Sequence, residues 1–287
     1  MAALQAAEQQ LVTLHHEDFP QARPPEVPAP AAVNESAILR SHIKSALRGV
    51  GLFNRTGRQQ AKHHGREQAV LEIGPARLRR LSGLAQQQTA AIAAWDALVA
   101  HEPEAVMTEL EEAFEDNQYP AACLSATRDN GVNRVSLLVL FESLEMIPDK
   151  AAGRTPTGKP TVKKRSKTDR NELYLAALGS MVLATVKETF AVSPKTDVAN
   201  VLVLRQDRGA STAQDYLTAI YAANFEQAVT LRLPWRTLDP AETLMRVPDA
   251  LLRRKGVARE VSALDLRGEP ELVSILDMAR ADLWRAA

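Results

Sequence analysis

The chain has 287 residues, with 35 Lys and Arg against 35 Asp and Glu, 45% hydrophobic side chains and one cysteine, Cys123. That balance excludes a disordered chain, an internal disulfide framework and a cysteine-based zinc knuckle. No run approaches the ~18 to 20 apolar residues that span a bilayer, and Met1–Gln10 lacks the basic and apolar regions of a secretory signal, so a cytoplasmic location without a membrane span is expected. Ala, Arg and Gln are abundant, a helix-favouring palette, and the excess of Arg over Lys points to a GC-rich bacterial source.

Ala2 to Glu17 is expected to form a short helix with Leu4, Ala7, Leu11 and Leu14 on one face. Pro20, Pro24, Pro25, Pro28 and Pro30 follow as an extended spacer, since proline lacks an amide hydrogen and biases its predecessor away from helix. Residues 1–32 are thus set apart as helix and linker, and residues 33–100 as a basic helical arm. Its first helix starts after Asn34 or Ser36, both good N-caps, and turns Ile38, Leu39, Ile43, Ala46, Leu47 and Val50 inward. Gly49, Gly51 and Gly57 mark a bend. Gly74-Pro75 should break the arm, after which a helix over Ala76–Ala100 should bury Leu81, Leu84, Ile92, Trp95, Leu98 and Val99. Two long helices so joined predict a helical hairpin or coiled coil.

Residues 101–287 are expected to form an α+β body. Glu102-Pro103-Glu104 starts a helix with core residues Val106, Met107, Leu110 and Phe114. Ala121 to Thr127 and Val132 to Phe141 predict strands around the hairpin signal Arg128-Asp129-Asn130-Gly131, the second buried on both faces. Pro148 to Thr168 predicts a mobile basic loop. Thr168-Asp169 should cap a helix towards Phe190, with Glu172 completing a capping box. Val198–Arg205 and Asp215–Ala223 form a second strand pair across Asp207-Arg208-Gly209. A short helix near Phe225–Val229, strands near Glu242–Val247 and Arg259–Leu266, and a helix over Pro270–Trp284 complete the chain. Helix, hairpin, helix, hairpin is an α+β order, because consecutive strands tend to pair directly.

The charges are sorted into blocks. Residues 40–80 hold Arg40, Lys44, Arg48, Arg55, Arg58, Lys62, Arg66, Arg77, Arg79 and Arg80 against Glu67 and Glu72; residues 101–127 hold Glu102, Glu104, Glu109, Glu111, Glu112, Glu115 and Asp116 with no Lys or Arg. Residues 150–170 are basic again, with Lys163, Lys164, Arg165 and Lys167 at their centre. Sorted charge points to docking, within the protein or with a partner. The basic segments 40–66 and 159–170 are therefore candidates for binding a protein partner or phosphate, although no helix-turn-helix, RNA-recognition or finger signature accompanies them. A basic amphipathic helix on an anionic membrane, with Leu52 and Phe53 inserted, is a further reading that the glycines weaken.

Catalytic signatures are incomplete. Gly153-Arg-Thr-Pro-Thr-Gly158-Lys159-Pro160 matches a phosphate-binding loop until Pro160 replaces the magnesium-ligating hydroxyl. All six histidines lie in the first 101 residues, and His15-His16 and His63-His64, adjacent on a helix, diverge by about 100°; surface positions are expected for them. Glu109 and Glu112 on the first helix of the body, with Asp207 and Asp215 at strand ends, are the carboxylates available to a metal-dependent nuclease or hydrolase. No lysine follows an acid by two positions, as such nucleases require. No cofactor or metal-ligand motif is present.

The segment Leu110-Glu111-Glu112-Ala113-Phe114-Glu115-Asp116-Asn117, the Val135–Phe141 strand and the helix Val186-Lys187-Glu188-Thr189-Phe190-Ala191-Val192 resemble an uncharacterised family of actinobacterial proteins, with similarity reaching Leu14-His15 and Phe19-Pro20. The resemblance implies one architecture over most of the chain and no activity. The expectation is thus a non-enzymatic assembly protein whose arm docks on a protein partner or a second copy, the acidic helix over 103–117 being the natural complement of the basic arm. A nucleic-acid-associated protein and a metal-dependent hydrolase are the alternatives.

Overall fold

The computed structural model describes residues 2–51, 54–154, 159–208, 215–270 and 272–277. Met1–Ala22 with Ala97–Ala287 form one compact unit, and Arg23–Asp96 a second. The fold is α+β. Leu52, Phe53, Gly209, the centre of the phosphate-loop-like segment and the end of the helix towards Trp284 lie outside the described residues.

The second unit is a helical hairpin made by α2 (Glu35–Ala46) and most of α3 (Arg55–Val99). Asn34 caps α2, its side chain accepting from the Ala37 amide at 3.0 Å. Gly74-Pro75 does not break α3, which runs for 45 residues with Pro75 inside. Proline at 75 deprives the Leu71 carbonyl of its partner; Leu71 is an exposed residue, so water is at hand for that oxygen. The reversal lies instead between α2 and α3, after Gly49 at φ +87°. Contacts step in opposite directions along the two segments. Ala31 meets Arg80, Glu35 pairs with Arg77, His42 with Glu72, and Ile43 lies on Gly65, so the helices are antiparallel. A methyl group at Gly65 would sit 2.9 Å from the Ile43 Cα and 3.0 Å from the His42 carbonyl oxygen. Gly65→Ala is accordingly expected to loosen α2 by about 1–3 kcal/mol, read as faster hydrogen exchange over residues 35–46; unchanged exchange would show that the two backbones do not approach this closely.

In the body, α1 (Ala2–Val12) and a 3-10 turn over Leu14–His16 stand where one helix to Glu17 is expected. The chain then continues to Ala22, whose amide bonds the Ala191 carbonyl at 2.8 Å. After α3, His101 takes φ +59°, a left-handed turn that histidine tolerates better than most residues. The chain enters α4 (Pro103–Phe114) with Pro103 in its first turn. Val106, Leu110 and Phe114 are buried there and recur every fourth residue on one face.

Strands β1 (Ala121–Asp129) and β2 (Val132–Phe141) form the predicted hairpin. β2 then pairs in parallel with β5 (Val198–Arg208), which pairs antiparallel with β6 (Asp215–Glu226). β7 (Leu251–Lys255) and the short β8 (Glu260–Ser262) complete a six-stranded sheet of order β1-β2-β5-β6-β7-β8. The parallel step demands a long crossover, supplied by residues 142–197. These are not a loop followed by a helix. Lys150–Arg154 (β3) and Pro160–Lys164 (β4) pair as a separate hairpin, closed at its base by the Arg165 amide on the Asp149 carbonyl at 2.8 Å. Proline is admissible at 160 because it opens its strand.

Helix α5 (Lys167–Val192) follows, and its N-cap is Ser166, whose hydroxyl accepts from the Asp169 amide at 3.0 Å. The expected cap at Thr168-Asp169 is displaced because Ser166 and Asp169 already have the capping-box spacing. α5 comes nearer to bilayer length than the sequence reading allowed: it is the one described helix that is long and apolar enough, and 83% of that stretch is buried inside the protein. It covers the sheet face carrying Val135, Leu137, Val139 and Phe141, with Tyr174 against Phe141 at 5.2 Å between ring centres. The opposite face of β2 is half-buried rather than buried. There Leu202, Leu204, Leu217 and Ala219 pack beneath Leu264, Leu266 and the helical residues 272–277. α6 (Gln227–Thr230) lies where a short helix is expected. Residues 242–247 are not a strand: Asp239 accepts from the Glu242 amide at 2.9 Å and Pro240 opens α7 (Pro240–Arg246). Arg259–Leu266 holds only the three residues of β8.

Candidate functional site

The arm carries the most unusual surface. α2 lies against the side of α3 marked by Gly65 and Glu72, with Arg77 reaching Glu35 from its edge. On the other side Leu71 is 67% exposed, Leu78 68%, Leu81 60% and Ile92 56%, with Val70 beside them. The stripe expected to be buried is therefore largely open: Leu81 and Ile92 are exposed, Leu84, Trp95 and Val99 half-buried, and only Leu98 is buried. Periodicity identified the apolar side, but α2 occupies the other one. Arg40, Lys44, Arg48, Arg55 and Lys62 are exposed and Arg58 is half-buried.

In the body, Lys163 and Lys164 are exposed on β4 and Lys167 opens α5. Arg165 is committed inside the molecule. It pairs with Glu8 of α1 and its side chain is 10% exposed, which ties the first helix to the crossover.

The carboxylates do not form a shared site among the described side chains. Glu109 and Glu112 are exposed on α4. Asp207 accepts from Arg205 Nε at 2.7 Å, and the same guanidinium donates to the Val261 carbonyl at 2.9 Å, so Arg205 ties β5 to β8 and Asp207 holds that guanidinium in place. Asp215 opens β6 opposite Arg208, and its side chain lies outside those described. No three His, Cys, Asp or Glu side chains converge among the described residues. Gly153 and Pro160 belong to the facing strands β3 and β4, so the phosphate-loop-like segment is set in a hairpin rather than between a strand and a helix.

The expectation of surface histidines fails at His15, which is 1% exposed. Its backbone amide donates to Ser180 Oγ at 3.2 Å, and its ring Nδ1 lies 2.9 Å from the same hydroxyl. Burial, then the neighbouring His16 and Lys187, bring its pKa down to about 4, with Asp239 opposing. Nearby, Glu188 accepts from Asn117 Nδ2 at 2.7 Å, and burial raises its pKa. Lys187 holds this corner together, reaching the Glu17 carbonyl and the Asp18 carboxylate with its ammonium 5.0 Å from the centre of the Trp235 ring. Buried Cys123 has its thiol pushed up to about 11, chiefly by desolvation, which makes it a poor nucleophile.

A cleft of about 720 Å³ opens on the sheet face away from α5. Its floor is a polar row in register across three strands: Ser136 is opposite Asn200, and Asn200 opposite Asn224. Arg134, Asp249 and Glu269 lie around it. The Asn200 Oδ1 is buried without a hydrogen-bond partner among the described residues. Sequence reasoning missed this row. Its signal was present as single polar residues interrupting three apolar strands, and only the pairing register aligns them.

No family model and no curated protein matches the sequence. Among solved structures, the sex pheromone precursor of Lactobacillus salivarius subsp. salivarius is 16% identical, with a TM-score of 0.20, over 38% of this chain and 29% of that one. An overlap of that size does not establish a shared fold.

Proposed function

We propose that this is an assembly protein: the α+β body is its stable part and the α2–α3 arm docks on a protein partner or a second copy. The observation that carries this reading is the row of large apolar side chains left open along α3 on the side away from α2. Contiguous apolar surface of this kind marks interaction sites in soluble proteins. The exposed Arg40, Lys44, Arg48, Arg55 and Lys62 give the same unit a basic character, and the exposed Glu109, Glu112, Glu115 and Asp116 of the acidic segment are of a charge to meet it in another molecule. Light scattering of the full chain across salt concentrations tests the proposal. A mass above the monomer, shifting with ionic strength, is expected; a monomer indifferent to salt would count against it.

A second reading has its own observation in the exposure of Lys163 and Lys164 on the β3–β4 hairpin. They are placed to neutralise phosphates, so a nucleic-acid-associated role predicts a gel shift with a duplex at low salt, weakened in Lys163→Gln/Lys164→Gln. Absence of salt-sensitive binding would remove it.

A further inference from the structure

Resting on the assembly reading, we infer that the partner of α3 is a second copy of α3, paired antiparallel about a two-fold axis near Gly83. The apolar side of the helix has the heptad spacing of a coiled-coil seam. Leu71, Gly74, Leu78, Leu81, Ala85, Gln88, Ile92 and Trp95 alternate in steps of three and four. Gly65 and Glu72, which meet α2, fall at positions opposite that seam, and Arg77, which pairs with Glu35 of α2, lies on its flank. One hairpin partner and one free seam therefore coexist on the same helix.

Residue volume selects the direction. In antiparallel pairing each a position faces a d position of the other helix. With the axis near Gly83, Gly74 of one copy faces Ile92 of the other, Ala85 faces Leu81, Leu71 faces Trp95 and Leu78 faces Gln88. Small residues then lie opposite large ones and fill the seam, as dense packing requires. Parallel pairing would instead set Gly74 on Gly74 and Ala85 on Ala85, leaving voids, and would bring Trp95 onto Trp95. Charge permits the antiparallel form. The seam holds no ionisable side chain, and its flanking positions carry only Arg77 and Asp96, neither of which meets a like charge. Leu84 meets its own copy at the axis.

The area fits a reversible dimer. Residues 71–95 span about 37 Å of helix. Covering a third to a half of the girth buries roughly 900–1,300 Å² over both copies, at the lower end of specific interfaces.

Cysteine pairing in the full chain tests direction and partner together. Gly74→Cys and Ile92→Cys are made separately, with buried Cys123 left in place. Mild oxidation of a mixture of the two should give a cross-linked dimer, and either variant alone should not. Self-linking of each alone would establish the parallel form and overturn the inference. In parallel, Leu78→Glu/Leu81→Glu should weaken self-association ~100-fold or more, with helix content by circular dichroism unchanged because both side chains already face solvent. A dimer that survives this double variant, with no linkage in the mixture, would keep the assembly reading and sink the seam. A monomer in every sample would sink the seam and the second-copy form of the assembly reading, leaving docking on a different protein.

Discussion

Gly179→Ala is expected to lower the unfolding free energy by about 3 kcal/mol, the upper range for overpacking a closed core. The site is the crossing of α5 with α7. A methyl group at Gly179 would lie 2.7 Å from the Pro240 carbonyl carbon, closer still to its oxygen, and 3.2 Å from the Ala241 amide nitrogen. None of these is the movable end of a side chain; they are the first turn of α7, fixed by the Asp239 cap and the proline. Relief requires α7 to move away from α5, which would disturb buried Leu244 and the bond from the Tyr221 hydroxyl to its carbonyl at 3.2 Å. Alanine normally favours a helix over glycine by about 1 kcal/mol, so the sign of the change is the test. Urea titration followed at 222 nm should show a lower midpoint. An equal or higher midpoint would mean that the two helices are not in backbone contact.

The second large effect is a loss of stability in mild acid through His15. Its pKa is 6.5 when exposed and about 4 in the fold. Between those values the unfolded chain binds a proton that the folded protein refuses. Stability is therefore complete above about pH 6.5 and falls as pH drops towards 4, by on the order of 3 kcal/mol in all. The geometry explains the refusal. Ser180, itself fully buried, has one hydroxyl to serve both the His15 amide and the ring, and the Nε2 has no partner among the described residues. Glu188 acts in the opposite sense. Its raised pKa favours the protonated fold, so it adds stability as pH falls through its own range. His15→Leu separates the two. It should cost stability at pH 7.5 yet flatten the decline between pH 6.5 and 5. A variant that declines as steeply as the parent would place the acid sensitivity elsewhere.

Much of the body was legible because its signals are local. Asn130 and Gly131 take φ +49° and +82°, consecutive positive values that a two-residue hairpin turn demands. The Asn-Gly pair could be read for that reason alone. The buried face of α4 was equally plain, since Val106, Leu110 and Phe114 repeat at helical spacing. What escaped depends on partners distant in sequence. β3 and β4 are five residues each and carry one large apolar side chain between them, Val162, so neither has a periodic signal strong enough to compete with a loop. α7 is seven residues, too short to show a helical period. The burial of His15 is decided by a helix 165 positions later. For the candidate surface, the sequence identified which side of α3 is apolar; the hairpin partner on the other side left it open.

The docking of the first 22 residues onto α5 also sets a schedule. At about 5–20 residues per second of synthesis, the surface that receives α1 is finished roughly 10–30 s after α1 itself has been made. For that interval Leu4, Leu11 and Leu14 belong to an isolated eleven-residue helix and its following turn, too short to hold its shape alone. The arm, by contrast, has both of its helices by residue 99 and can close before the sheet exists. On the proposed assembly reading, the nascent chain presents the open side of α3 well before it has a finished body, and two ribosomes on one message would bring such surfaces together early.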